Sequence, residues 1–335
     1  MKRILIITAL LVFTALAWAE KVATLPEIMK PSALFVDDSQ LYLTEGATIY
    51  IYSLKDYKFI KKFGKEGQGP GEFANNPQLP PSIYVSTDDI IVNSLGKLSY
   101  FSKDGTFKKE IKTTSLSFLF QPMDKQFIGL GQIMEDNKMF YTVNIYDSQL
   151  NKIKEIYRVD SGLRGPGQGM EALKKALAFQ SYENKIFLPG ETDDAVDAFD
   201  KDMKKLYTIR VKTERRKVGD EFKKEVIHYL QTNIRTKDFY DAFLKPVRFP
   251  DYFPTIQAFF CADHLLYVMT WLRDGDKNEF HLFDMKGNFV KKLWIPLAYM
   301  TYLELFPLAV RNGKLYQVVE NIDEEMWELH ISSIN

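Results

Sequence analysis

Residues 32–63 read SALFVDDSQLYLTEGATIYIYSLKDYKFIKKF. Four runs in this stretch are rich in β-branched and aromatic residues, and short segments with Asp, Ser or Gly separate them. The runs cover residues 32–36, 40–44, 48–53 and 58–63. Short apolar runs bounded by turn residues are typical of β-strands and not of helices. The stretch therefore predicts a unit of four short strands joined by tight turns.

The same order of strands recurs along the rest of the chain. A second unit covers residues 82–112, where Lys103-Asp104-Gly105 supplies a hairpin turn because Gly accepts a positive φ. Further units cover residues 118–159, 176–211, 255–295 and 305–331. Repetition of one supersecondary unit indicates a repeat architecture. We therefore expect six such units in one all-β fold.

The last unit contains only three strands, and a strand-like segment at residues 21–25 is left over before the first unit. An open sheet edge is an aggregation hazard, and pairing these two parts of the chain would close a ring. The sequence therefore predicts a six-bladed β-propeller whose N-terminal strand closes the last blade. A two-layer β-sandwich with additional strands is the alternative.

Residues 218–245 interrupt the strand pattern between blades four and five. A stripe of apolar residues at helical spacing predicts a helix there. The stripe consists of Phe222, Val226, Leu230 and Ile234. A second short helix from Thr236 would carry Phe239, Tyr240 and Phe243. We expect a helical hairpin inserted in the propeller and not a separate domain.

Two glycine-rich segments follow the first and third units. Residues 64–73 read GKEGQGPGEF, with Pro77 beyond them, and residues 161–170 read SGLRGPGQGM. We expect rigid turns between blades, because the first segment lacks both the G-x-G-x-x-G spacing and the Gly-Lys-Ser/Thr of phosphate-binding loops. The residues expected to form these turns are Gly64, Gly67, Gly69, Pro70, Gly71 and Phe73 in the first segment and Gly165, Pro166 and Gly167 in the second.

The first of these segments resembles the inter-blade motif of NHL-type six-bladed propellers. The strand pattern likewise resembles the NHL-like and TolB-like propellers of bacterial extracytoplasmic proteins, over most of the chain after residue 19. The Gly-Pro-Gly loop is clear only twice. The resemblance therefore implies a fold and not an activity.

The first residues have the layout of a secretory signal peptide. Lys2 and Arg3 precede an apolar run at residues 4–18, and Ala17-Trp18-Ala19 supplies an A-x-A cleavage site. A membrane anchor is the alternative, but the run is shorter than the ~18–20 residues that a spanning helix needs. No Cys for a lipoprotein anchor lies near the site. We expect cleavage after Ala19, which divides the chain into a signal peptide at residues 1–19 and one propeller domain at residues 20–335. The product would be extracytoplasmic, periplasmic or secreted, without a transmembrane anchor.

The 335 residues include 44 Lys and Arg, 44 Asp and Glu and one Cys. A balanced charge gives no electrostatic reason to expect nucleic acid or an anionic membrane as a partner. One Cys cannot form an internal disulfide, so the fold has to be held by burial of apolar residues.

We find no residues that predict catalysis. The four histidines lack metal-ligand spacing, Cys261 follows Phe259-Phe260 at the end of a predicted inner strand, and no G-x-S-x-G occurs. The six predicted inner strands, which would line the central channel, cover residues 32–36, 82–86, 118–121, 176–180, 256–260 and 305–310. None contains Asp, Glu or His, whereas lactonase-like propeller enzymes need such metal ligands there. We assign no catalytic residue and predict no cofactor, with Ca²⁺ as the remaining possibility.

Propeller topology places the loops between blades and the turns between second and third strands on one face. That face would carry residues 218–245 and a set of acidic residues: Glu135, Asp136, Glu191, Asp193, Asp194, Asp274 and Asp276. These could bind a cation or a cationic ligand, or they could be solvated turn residues. Tyr229 and Tyr240 in the insertion could bind a partner, or they could pack the insertion onto its own ring.

Two classes of function remain open. The first is a non-enzymatic, extracytoplasmic propeller that binds a protein or small-molecule ligand on the face with the insertion, including an adaptor within an envelope complex. The alternative is a metal-dependent, Ca²⁺-type hydrolase or lyase of the propeller-enzyme class, with carboxylates at the rim as ligands.

Overall fold

The computed structural model describes residues 19–74, 76, 79–113, 117–174, 178–301 and 303–334. Nearly all of the predicted signal peptide lies outside these residues, as does Pro77 of the glycine-rich motif. Within the described part, no helix is both long and apolar enough to cross a membrane.

The first strand, β1 (Glu20–Thr24), belongs to the last sheet of the chain. It is followed by sheets I and II, in each of which four antiparallel strands pair in chain order. Sheet I contains β2 (Ala33–Val36), β3 (Gln40–Glu45), β4 (Thr48–Ser53) and β5 (Phe59–Phe63), and sheet II contains β6 (Ser82–Val85), β7 (Asp89–Ser94), β8 (Lys97–Ser102) and β9 (Phe107–Lys112).

Sheets III and IV depart from the predicted strand bounds. Sheet III contains β10 (Phe118–Met123), β11 (Gln126–Glu135), β12 (Lys138–Tyr146) and β13 (Lys152–Arg164), with β14 (Met170–Glu171) beyond them. The prediction that strand structure ends at residue 159 was wrong, because β12 is long enough for Lys138 to pair with Arg164. Sheet IV contains β15 (Gln180–Tyr182), β16 (Lys185–Pro189), β17 (Ala195–Asp200) and β18 (Lys205–Arg210). Its inner strand was predicted at residues 176–180. It begins only at Gln180, where pairing with Phe187 starts, and residues 176 and 177 lie outside the described chain.

The insertion begins with helix α1 (Asp220–Thr232), followed by a 3₁₀ turn (Lys237–Phe239) and a π-helical turn (Tyr240–Leu244). It ends in β19 (Val247–Arg248), which pairs with β14 at the edge of sheet III. Sheet V contains β20 (Ile256–Ala262), β21 (Leu265–Asp274), β22 (Lys277–Asp284) and β23 (Phe289–Pro296). Sheet VI contains β24 (Leu308–Arg311), β25 (Lys314–Asn321) and β26 (Met326–Ser333), with β1 on its outer edge.

Among the described residues, six apolar clusters each lie between two neighbouring sheets. Each cluster packs between two consecutive sheets, from I and II through to V and VI. The sixth returns from sheet VI to sheet I, where Trp327 and Leu329 pack against Tyr52. Every sheet is therefore covered on both faces, which explains why central strands such as β3 and β4 carry unbroken apolar runs. A ring of sheets packed face to face is a β-propeller and not a two-layer sandwich.

The N-terminal strand completes sheet VI, as the missing fourth strand requires. Residues of β1 from Glu20 to Thr24 pair antiparallel with β26. The Glu328 carboxylate lies at this junction and is nearly buried. It binds Lys21 Nζ at 2.7 Å, and Asn321 Nδ2 and His330 Nε2 at 2.8 Å. Burial alone would raise the pKa of Glu328, but these contacts from Asn321, Lys21 and His330 outweigh it and lower the pKa from 4.5 to about 2.

We predict that Glu328→Gln lowers the free energy of unfolding at neutral pH by about 2 kcal/mol, since it removes a charged acceptor from a buried junction. The pKa of Glu328 is lower in the folded state, so its contribution is complete above pH 4.5 and is lost as the pH falls towards 2. Urea titrations at several pH values should therefore show the difference between the two proteins shrinking in acid. The matched control is Glu324→Gln, because Glu324 is 55% exposed and lies 3.7 Å from Lys21. It should change stability by less than about 0.5 kcal/mol. Equal losses in both variants, or a loss that does not depend on pH, would contradict this assignment.

Candidate functional site

The face that carries the insertion is organised around helix α1. Phe222, Val226 and Leu230 are buried in the insertion's own core. Ile234 was predicted to continue this stripe, but the helix ends at Thr232, and Ile234 is 58% exposed. The stripe was misread because helical spacing persists in the sequence after the backbone has left the helix at Asn233.

The insertion packs on several sheets and not only on the two that it separates in sequence. Its core cluster includes Leu163 and Met170 of sheet III, Trp271 of sheet V and Leu303 of the linker between sheets V and VI. Tyr240 is buried in this cluster, so it holds the insertion on the ring and cannot form a partner-binding patch. The insertion therefore reaches across the face from sheet III to the linker that precedes sheet VI.

The two glycine-rich segments have different structural roles. In the first, Gly64 has a φ of +82°, and a Cβ on it would lie 2.4 Å from the Phe73 ring. Phe73 is fully buried in the cluster between sheets I and II. The amide of Gly69 donates to the carboxylate of Glu72, and Gly67 donates to the Phe73 carbonyl. Pro70 and Gly71 lie at the tip of this turn.

The second segment holds the insertion in place. Gly165 donates to the Asn137 carbonyl, and Gly167, which follows Pro166, donates to the Ala242 carbonyl at 2.8 Å. A Cβ on Gly169 would lie 2.1 Å from the carbonyl oxygen of Pro246. This segment was expected to be an inter-blade turn alone. It also supports the insertion, because its last residue, Met170, begins β14, and β14 pairs with β19.

Three adjoining clefts lie at the centre of this face. The helix cleft, about 560 Å³, lies between α1 and the linker that joins sheets V and VI, and Tyr229, Arg273 and Met300 line it. The mouth cleft, about 700 Å³, also borders Met300 and extends to Ser32 and Pro80. Both of these residues also line the channel cleft, about 390 Å³. The inner strands of sheets I, II and III border the channel cleft, which places it at the central channel.

The clefts collect large apolar side chains that remain exposed to solvent. Those of the mouth cleft are Met29 (82% exposed), Ile234 (58%) and Met300 (45%), and those of the channel cleft are Leu95 (42%) and Leu119 (41%). Single exposed apolar residues are ordinary, but a group of them around one concave surface marks an interaction site. Sequence reasoning missed these residues. Met29 and Met300 lie in EIMKP and LAYMT, which contain other apolar residues, so no local signal marks either methionine as exposed.

A hydrogen bond joins a residue of the helix cleft to a residue of the mouth cleft. The Tyr229 hydroxyl donates to Glu304 Oε1 at 2.6 Å, and Arg235 lies 3.7 Å from the same oxygen. Burial and the neighbouring carboxylate both raise the pKa of Tyr229, so the phenol keeps its proton and remains a donor. Glu304, which the sequence places just before an inner strand, therefore fastens α1 to the ring.

The acidic residues predicted on this face are not brought together. Glu135 pairs with Arg158 at 2.7 Å, whereas Asp193 and Asp194 pair with different arginines at 3.2 Å. Asp136, Glu191, Asp274 and Asp276 are exposed, at the turns of three different sheets. In the described ranges, no three His, Cys, Asp or Glu side chains are close enough together to hold a metal ion.

Polar side chains of the inner strands tie neighbouring sheets to each other. Gln121 Oε1 accepts from the Ser181 amide, and Gln180 Oε1 accepts from the Cys261 amide, both at 2.7 Å. Cys261 is buried, and burial raises the pKa of its thiol. A buried, protonated thiol is a poor nucleophile.

No known family model matches the sequence, and no curated protein matches it either. A solved structure of a candidate exported protein of Bacteroides fragilis is similar, with 12% identity over 94% of both chains and a TM-score of 0.52. A luciferin-regenerating enzyme is 10% identical over 95% of both chains, with a TM-score of 0.43. The Pan2 WD40 domain of Neurospora crassa is 10% identical over 95% of this chain and 96% of that chain, with a TM-score of 0.44. At this level of identity the first likeness shows a shared fold alone.

We predict that Tyr229 and Glu304 are energetically coupled. A double-mutant cycle with Tyr229→Phe and Glu304→Gln, measured by urea unfolding, should give a coupling free energy of about 1 kcal/mol, because the bond is only partly shielded from water. Tyr229→Phe combined with Glu324→Gln should be additive, because the charged partner of Glu324 is Lys21 and not a residue of this bond. A coupling of zero in the first cycle would mean that this bond does not hold α1 on the ring.

Proposed function

We propose that the protein is a six-bladed propeller, each of its six sheets being one blade, and that it belongs with the NHL-like and TolB-like propellers. Six inter-sheet clusters support the number of blades, and the Gly64–Phe73 turn supports the subfamily. We further propose that it acts outside the cytoplasm, on the basis of the signal-peptide pattern at residues 1–19.

Its function is the non-enzymatic binding of a protein or small-molecule ligand at the mouth of the central channel. The observation that carries this proposal is the group of exposed Met29, Ile234 and Met300 around a concave cleft. Leaving such side chains in water is unfavourable by roughly 25 cal/mol for each Å² of apolar surface, and a bound partner recovers that free energy.

The insertion defines the site. Without residues 218–245 the helix cleft would lose α1, and the mouth cleft would lose the wall formed by Asn233, Ile234 and Arg235. A surface shaped by a docked insertion is rigid before the ligand arrives, which lowers the entropic cost of binding.

Site-specific photo-crosslinking tests this function. A photoreactive amino acid replaces Ile234 in the mouth cleft or, as the matched control, Phe289, which is 57% exposed on the outer strand of sheet V. After irradiation in an extract of the source cells, mass spectrometry of the intact protein should show a discrete adduct with the probe at residue 234 and none with the probe at residue 289. Equal adducts at both positions, or none at residue 234, would overturn the proposal.

A further inference from the structure

We propose that the ligand at the mouth is a polypeptide segment of a partner protein in which apolar side chains alternate with Lys or Arg. This inference rests on the proposed function and specifies the chemistry of its ligand. The inference is based on one arrangement: an open apolar cleft lies between two acidic turns.

The apolar part of the surface fits several consecutive side chains. The mouth and channel clefts adjoin at Ser32 and Pro80, so together they form one continuous surface from α1 into the channel. Methionine has an unbranched, polarisable side chain that adapts to different apolar groups, and Met29 and Met300 border the mouth. An extended peptide presents every second side chain to one face, which matches an elongated cleft.

The charges next to this surface are predominantly acidic. Glu320 lines the mouth cleft, and the β25–β26 turn that follows contains Asp323, Glu324 and Glu325. Ile322 lies in the same turn and is 80% exposed. At the other end, Arg273 of the helix cleft is followed directly by the turn that holds Asp274 and Asp276.

Cationic groups on the same surface reduce this acidic character without cancelling it. Lys30, Arg235 and Arg273 line the clefts, where the carboxylates of Glu225, Glu304 and Glu320 balance them. Next to the two turns stand Lys277 and Lys21, the latter 3.7 Å from Glu324. These two lysines stand against five carboxylates in the two turns, three in the β25–β26 turn and two next to Arg273. The net charge of each turn with its lysine is therefore negative.

A partner with the opposite charges is favoured for two physical reasons. Complementary charge steers the segment towards the cleft and raises the association rate, most strongly at low salt. Acidic side chains on the segment would instead meet like charges at the two turns. The apolar side chains supply the affinity, because they leave water together with those of the cleft.

Three synthetic peptides of equal length serve as probes. One alternates Leu with Lys, one alternates Leu with Glu and one alternates Ser with Lys, and fluorescence polarisation measures their binding to the full chain at low salt. We expect the Leu–Lys peptide to bind, and the other two to bind roughly tenfold more weakly or not at all. Added salt should weaken the binding of the Leu–Lys peptide, because salt screens its attraction to the acidic turns.

Variants of the chain test the location of the peptide. Ile234→Ser and Met300→Ser should each weaken the Leu–Lys peptide by roughly tenfold. The double variant Asp323→Asn with Glu325→Gln should weaken the binding of this peptide by about threefold, mainly by lowering the association rate. The matched controls are Phe289→Ser and Asp202→Asn on other surfaces, which should leave binding unchanged. Near-UV circular dichroism shows whether each variant keeps its fold.

The possible failures have different meanings. Equal or tighter binding of the Leu–Glu peptide, abolished by Ile234→Ser, would overturn the basic character of the partner but leave the mouth as the binding site. Binding that survives both mouth substitutions would overturn the location. A crosslinked adduct at residue 234 that is a small molecule, together with no peptide binding, would overturn the polypeptide class while the proposed binding function stands.

Discussion

The antiparallel pairing of β1 with β26 is the constraint on which the rest of the molecule depends. It joins the first strand of the described chain to the last one, so the cluster between sheets VI and I can form. A propeller sheet has both faces covered only when the ring is complete, since each blade needs two neighbours. The described residues form no disulfide, and Cys261 is a free thiol, so burial and strand pairing close the ring. The Glu328 junction adds a charge-dependent contribution to the same seam.

A closed ring also explains why the candidate site lies where it does. Inner strands converge around one axis, so the loops that precede them meet at the mouth of the channel. The described loop residues 29–32, 79–81 and 300–307 (without 302) precede inner strands in this way, and all three loops border the clefts. The insertion forms the remaining wall of this surface. Backbone hydrogen bonds hold it against sheet III, and the bond from Tyr229 to Glu304 holds α1 against the linker before sheet VI. The ring therefore holds the loops in fixed positions, and the side chains of the loops line the candidate site.

Much of the fold could be predicted from the sequence because strand patterns are local. Runs such as 40–44 and 48–53 gave strands within a residue of those observed, and the leftover segment at 21–25 pointed to the strand that completes sheet VI. Prediction failed where long-range packing decides the outcome. Helical spacing could not show that the chain leaves the helix before Ile234. Glycine content could not show that residues 165–170 support the insertion, because Ala242 and Pro246, which accept from Gly167 and Met170, are more than 70 residues away in the chain.

The candidate site was harder to predict than the fold. Acidic residues on turns suggested a common cation site, but several of them are held by arginines that only the folded ring brings near. The exposure of Met29 and Met300 depends on the shape of the mouth and has no local sequence signal.

Hydrogen–deuterium exchange tests the closed ring most directly. The β1 amides that donate to β26 should exchange about as slowly as the amides of β26, because these hydrogen bonds break only when β1 leaves the sheet and the ring opens. Fast exchange throughout β1, with β26 still protected, would show that the N-terminal strand does not close the ring.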